Sequence, residues 1–203
     1  MSSLPSKQPV QPTETAPRIA PLPMEALRPE WAEILGRIPG AGLKGDGFPR
    51  NVLGAIFLNP ETTGPLLDYW VTSKLKMGFT VREQELVILR MGCLFRSNYV
   101  WKHHVLVGRE FGIDDDQLDA IQAARYDGFS RREASLLALT DELVEARTIR
   151  AEAWARHRAA LTDAEIVDLV SLVSQYVFFA LMNNAMQVQV EDGVAGLPGL
   201  YPE

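Results

Sequence analysis

Residues Thr80–Gly112 read TVREQELVILRMGCLFRSNYVWKHHVLVGREFG. Thr80 and Glu83 have the spacing of a capping box: the hydroxyl can accept from the backbone N–H three residues on, while the carboxylate reaches back. Leu86, Leu89, Met91 and Cys93 then recur at helical spacing. Ser97 can cap a second helix after a break, and Val105, Leu106 and Phe111 carry its apolar pattern. Two successive helices with a short turn between them are therefore predicted, with no period-two alternation to suggest a strand.

The same signals recur outward from this block. Ser130–Glu133 and Thr162–Glu165 are further capping boxes, and Asn59-Pro60 places proline at a first helical position. Asp114 or Asp115, after Gly112, can open another helix. Leu66, Leu67, Trp70, Val71 and Leu75 share a helical period, as do Leu136, Leu137, Leu139 and Leu143. Breakers fall between these blocks, most densely in Ile38–Arg50. The prediction is an all-α protein with a single domain of about eight helices over residues 21–192. Residues 1–20, rich in Pro, Ser, Thr and Gln, read as a flexible or extended N-terminal arm. Residues 193–203 read as a non-helical C-terminal tail.

Composition narrows the function classes. Apolar residues make up 47% of the 203, enough for a folded core. The 20 basic and 26 acidic residues give a net charge of −6, which removes the usual drive for nucleic-acid binding, and no nucleic-acid partner is expected. The longest apolar stretch, Ile166–Met182, contains Asp168, Ser171, Ser174 and Gln175, so a buried core helix is expected there and no membrane span. No secretory signal pattern precedes it, and a cytoplasmic location is expected. The single cysteine, Cys93, can form neither an internal disulfide nor a CxxC pair, and it reads as a buried structural thiol. No HExxH or His-x3-His spacing occurs, so no metal is expected. Gly40-Ala41-Gly42 lacks the strand–helix context of a dinucleotide loop.

Chemistry concentrates in the opening block. Glu85 lies where its helix turns apolar, at the edge of a core. Ser97 and His104 are two turns apart on one face, and Val100 lies between them. His103 points about 100° away from His104 on the same helix. In the last long apolar run, Tyr176 and Asn183 are seven residues apart, and Tyr176 and Asn184 eight.

This block resembles the carboxymuconolactone decarboxylase and alkylhydroperoxidase AhpD-like family, over roughly residues 49–191. In redox members a Glu is followed after about a dozen residues by C-x-x-C-x-x-x-H. That pattern falls on Glu85, Ser97, Val100 and His104, so both cysteine positions lack a thiol while the Glu and His remain. A thiol peroxidase cycle needs one thiolate to attack and a second to resolve, so the resemblance points to the decarboxylase branch, which needs no cofactor. It implies an AhpD-like helical fold and self-association as trimers or hexamers. It further implies a lyase or isomerase acting on a small carboxylated lactone or a related product of aromatic catabolism. His104 is then the general acid–base and Glu85 its orienting or proton-shuttling partner. Ser97, Tyr99 and His103 are expected to bind substrate, Arg96 to pair with a substrate carboxylate, and Tyr176 and Asn184 to line the pocket from the closing helix. The alternatives are a peroxidase using Cys93 alone, or a small-molecule-binding protein without turnover.

Overall fold

The computed structural model describes residues 16–26, 29, 33 and 48–200. Residues 1–15 of the N-terminal arm, most of Ile38–Arg50 and the last three residues of the tail lie outside the described residues. The described residues form nine α-helices and no strand. In order they are α1 (Arg50–Ile56), α2 (Pro60–Lys76), α3 (Val81–Leu94), α4 (Asn98–Glu110), α5 (Asp115–Gln122), α6 (Arg131–Glu145), α7 (Ala151–His157), α8 (Asp163–Met186) and α9 (Asp192–Ala195).

Helix α3 is the axis of the fold: α4, α5, α6 and α8 all pack on it. Every residue from Glu83 to Gly92 is buried, which explains why Leu86–Leu89 is apolar without interruption: a helix covered on all sides has no solvent stripe. Three apolar clusters surround it, built around Ile88–Leu172, Trp101–Leu137 and Val52–Tyr99.

Helix starts follow local chemistry. Thr80, Ser130 and Thr162 each complete a capping box with Glu83, Glu133 and Glu165. Asp114 does the same with Gln117. The three capping glutamates also join helices to one another. Arg132 of α6 donates to Glu83 at 2.5 Å and to Glu165 at 2.6 Å, and Arg82 of α3 donates to Glu133 at 2.8 Å. The side chains that satisfy the orphan amides of α3, α6 and α8 thus tie those helix ends together.

The turn between α3 and α4 is tight. Gly92 lets the Trp101 backbone approach: a Cβ there would lie 3.3 Å from its nitrogen. Arg96 takes a left-handed conformation (φ 49°) to reverse the chain, and the Ser97 amide donates to the Gly92 carbonyl at 2.8 Å. At the other edge, Leu22 donates to the Gly54 carbonyl, and a Cβ on Gly54 would sit 2.3 Å from the Leu22 carbonyl oxygen. The end of the arm is also fixed, by the Arg18 amide donating to the Met186 carbonyl at 2.9 Å.

The C-terminal stretch differs from a non-helical tail. Asp192–Ala195 is a short helix. Beyond it, Pro198 accepts from Trp101 Nε1 at 3.0 Å, and the Leu200 amide donates to Asn98 at 3.2 Å. Trp101 and Leu200 bury apolar surface together, which offsets the entropy of ordering the stretch. Helix α8 is long and apolar enough by length and composition to cross a membrane, but it packs against α2, α3, α4 and α6.

Candidate active site

Helices α1, α2, α3, α4 and α8 enclose a cavity of about 110 Å³. Its walls are largely apolar, with Val52, Leu53, Trp70, Val100 and Phe179. Into them project the polar side chains of Lys74, Glu85, Tyr99, His103, His104, Tyr176 and Asn183.

The centre of this set is a dyad. His104 Nδ1 lies 2.5 Å from Glu85 Oε2, and Glu85 is 1% exposed. Lys74, nearly buried on α2, donates to the other carboxylate oxygen at 3.2 Å. Burial alone would raise the Glu85 pKa, but the charges and hydrogen bonds of His104 and Lys74 outweigh it and hold the carboxyl at about 2. The His104 pKa is lowered, first by burial and then by Lys74 and His103, against the pull of Glu85. At neutral pH the arrangement is an ionised Glu85 beside a neutral imidazole. An ionised carboxylate has no proton to give, so His104 Nδ1 carries the hydrogen and donates it. That leaves the Nε2 lone pair free, and it accepts from the Tyr176 hydroxyl at 3.2 Å. Burial and the Glu85 charge raise the Tyr176 pKa well above its ordinary value, so the phenol stays protonated. Trp70 Nε1 sits toward the same hydroxyl without completing a hydrogen bond.

A second histidine–carboxylate pair stands beside the first. His103 Nε2 lies 2.5 Å from Glu191 Oε2, and Tyr99 donates to Glu191 Oε1 at 2.9 Å. Glu191 also accepts from the Asn51 amide at 2.8 Å, and the Tyr99 ring stacks on His103 with centroids 4.4 Å apart. Glu191 accordingly ties the chain after α8 to α1 and α4.

The remaining candidates lie elsewhere. Asn184 does not line the cavity; it donates to the Phe95 carbonyl at 2.8 Å and helps close the α3–α4 turn. Its neighbour Asn183 takes the cavity-facing position. Arg96 is also outside the lining and shapes the turn through its backbone. Ser97 begins α4, yet its hydroxyl makes no cap bond and is buried without a partner. Glu191 and Lys74 were not legible as site residues: Lys74 reaches the cavity from α2, Glu191 holds the cavity-lining His103 and Tyr99 from behind, and no local pattern marks either.

No protein-family model and no curated protein matches the sequence. Solved structures match in fold. An uncharacterised peroxidase-related protein from Silicibacter sp. TM1040 is 16% identical, with 96% of this chain and 98% of that one aligned at a TM-score of 0.70. The debrominase Bmp8, in complex with 2,3,4-tribromopyrrole as a cysteine-to-alanine variant, is 12% identical over 86% of this chain and 91% of its own, with a TM-score of 0.70. A protein of unknown function from Agrobacterium tumefaciens, for which an AhpD role in antioxidant defence has been suggested, is 18% identical. That match covers 66% of this chain and 93% of that one, with a TM-score of 0.61. The chain has the AhpD-like helical fold. At these identities the likeness is one of architecture.

Within the AhpD-like fold, Cys93 is the residue to weigh for thiol chemistry. It packs beside Leu86 and Trp101 and does not line the cavity. Burial pushes its thiol up to about 12, against the smaller pull of Arg90. A thiol that stays protonated is a poor nucleophile. Arg90 itself is committed to Asp141 at 2.5 Å and to the Ile121 carbonyl at 2.9 Å. Among the described residues no group of three metal-ligating side chains gathers.

Proposed function

We propose that this cavity is the active site of a cofactor-independent lyase or isomerase, similar in class to carboxymuconolactone decarboxylase, that moves a proton on a small ring substrate bearing a carbonyl. The observation that carries the reading is the His104–Glu85 dyad: an imidazole oriented through Nδ1, with Nε2 on the cavity side, where it bonds the Tyr176 hydroxyl. A neutral imidazole whose pKa is lowered below its ordinary value keeps a lone pair that can accept a proton as a general base.

In an isomerisation, Nε2 takes a proton from the carbon next to the carbonyl. The electron pair of that C–H bond passes to the carbonyl oxygen as an enolate. The Tyr176 hydroxyl, bonded to Nε2 in the free protein, turns to the substrate carbonyl as substrate binds and donates to that oxygen. The proton then returns from His104 to the conjugated carbon, and the double bond has moved. In the decarboxylation variant Nε2 first takes the substrate's carboxylic-acid proton. The C–C bond to the carboxylate then breaks, carbon dioxide leaves, its electron pair passes to the carbonyl oxygen as a dienolate, and the imidazolium returns that proton to carbon. Neither route needs an oxidant or a second thiol. Glu85 stabilises the transient imidazolium, while Lys74 keeps that carboxylate ionised.

The test is hydrogen exchange. Small cyclic ketones and lactones incubated with the protein in D2O should gain deuterium at the carbon next to the carbonyl. His104→Gln and Glu85→Gln should each slow the exchange at least about tenfold, the lower range for loss of general acid–base catalysis. Exchange at wild-type rate in folded His104→Gln protein would reject the reading.

A further inference from the structure

We infer that Asn183 is the specificity-determining residue of this cavity, and that it selects small ring compounds carrying an uncharged hydrogen-bonding group, such as a carboxamide, at the end remote from His104. The inference rests on the cavity being the ligand site and narrows the group held at the end remote from His104.

Asn183 is 3% exposed and lines the cavity. Its Oδ1 is buried without a hydrogen-bond partner. A buried amide oxygen left without a donor is costly, and the same side chain carries two N–H donors. The neighbouring Asn184 shows the ordinary alternative: its amide is used up on the Phe95 carbonyl. The Asn183 oxygen has no such structural employment.

Position gives the amide its meaning. Asn183 and Tyr176 lie on one face of α8, two turns apart, which separates their Cα atoms by roughly 10 Å. Tyr176 marks the His104 end of the cavity at 3.2 Å from Nε2. A ligand with its reacting carbon at Nε2 and a polar group at Asn183 is about one substituted ring long. The cavity, about 110 Å³, is no larger than the ~150 Å³ engineered apolar cavity that holds benzene, which limits the ligand to a single ring. The amide is neutral and both donates and accepts. A carboxylate at this end would meet a dipole and an apolar wall, with no charge to offset its desolvation. The cavity's lysine, Lys74, is already paired with Glu85.

The experiment is an NMR titration of the full chain with benzamide, benzoate and toluene, following the Asn183 side-chain amide signals. Benzamide should bind and shift those signals, and benzoate should bind at least about tenfold more weakly. Asn183→Leu should weaken benzamide at least about tenfold while leaving toluene unchanged or tighter. Asn183→Asp, of the same size, should also lose benzamide affinity, which guards against a folding defect in the leucine variant. The inference is overturned if benzamide fails to bind, if benzoate matches it, or if both variants bind benzamide as the wild type does. Turnover plays no part in this readout. A His104→Gln protein that keeps the benzamide preference separates the selectivity of Asn183 from the proton-transfer role of His104.

Discussion

Replacing Lys74 with methionine should turn His104 from a neutral base into a charged partner of Glu85. Lys74 Nζ lies 3.2 Å from Glu85 Oε1, and both side chains are nearly buried. At an effective dielectric of about 20 the attraction is on the order of 5 kcal/mol. Removing one member of a buried pair leaves the other uncompensated, at a net cost of about 3–5 kcal/mol. Methionine keeps the length and apolar contacts of the stem. The groups facing Glu85 are then His104, 2.5 Å away on α4, and the Tyr176 hydroxyl of α8, with His103 beyond. His104 can relieve the bare carboxylate by taking a proton, so its pKa should move from below its ordinary value to above it. A histidine whose folded pKa exceeds its unfolded pKa adds stability below the unfolded value of about 6.5, and that stability is lost as pH rises through the folded value. The variant should therefore lose less stability at about pH 6 than at about pH 8, with the loss growing as pH rises toward the raised His104 value. Nitrogen-detected NMR titration of His104 reads the pKa, and urea unfolding at the two pH values reads the stability. An unchanged or lowered His104 pKa, or a pH-independent loss, would refute the reasoning.

Three further outcomes follow from the same geometry. Cys93→Ser should keep deuterium exchange within about twofold of wild type, because a protonated thiol outside the cavity does no chemistry there; a large loss would return the thiol to the mechanism. Acid should unfold the protein partly through Glu85. Its folded pKa of about 2 lies below the ordinary 4.5, so it contributes on the order of 3 kcal/mol above the unfolded value. That contribution is lost as pH falls from about 4.5 through 2, and Glu85→Gln should flatten this limb in urea melts. Asn184→Ala should cost about 1 kcal/mol by loss of its bond to Phe95, seen in thermal unfolding, and leave benzamide affinity untouched.

What the sequence made legible was local. The boxes at Thr80, Ser130 and Thr162 were readable because donor and acceptor stand three residues apart, and each begins a helix. Asn59 shows the limit of such signals: α2 begins at Pro60 without a side-chain cap. Glu85 and His104 sit on different helices, so no helical periodicity links them, and their pairing was suggested only by the family resemblance. Lys74 on α2 and Glu191 in the chain after α8 reach Glu85 and His103 respectively, a convergence that tertiary packing alone creates. The choice between Asn183 and Asn184 turns on a helix rotation of about 100°, and packing settled it. Arg96 could not be read as a turn residue, because nothing in an arginine announces a left-handed backbone.

The most direct measurement is a crystal structure of the protein with a ring compound that undergoes exchange. The exchanging carbon should lie within about 3.5 Å of His104 Nε2, the distance of a near-attack geometry, with Nδ1 still bonded to Glu85. A ligand seated with that carbon beside Cys93, or out of reach of His104, would contradict proton transfer as the work of this site.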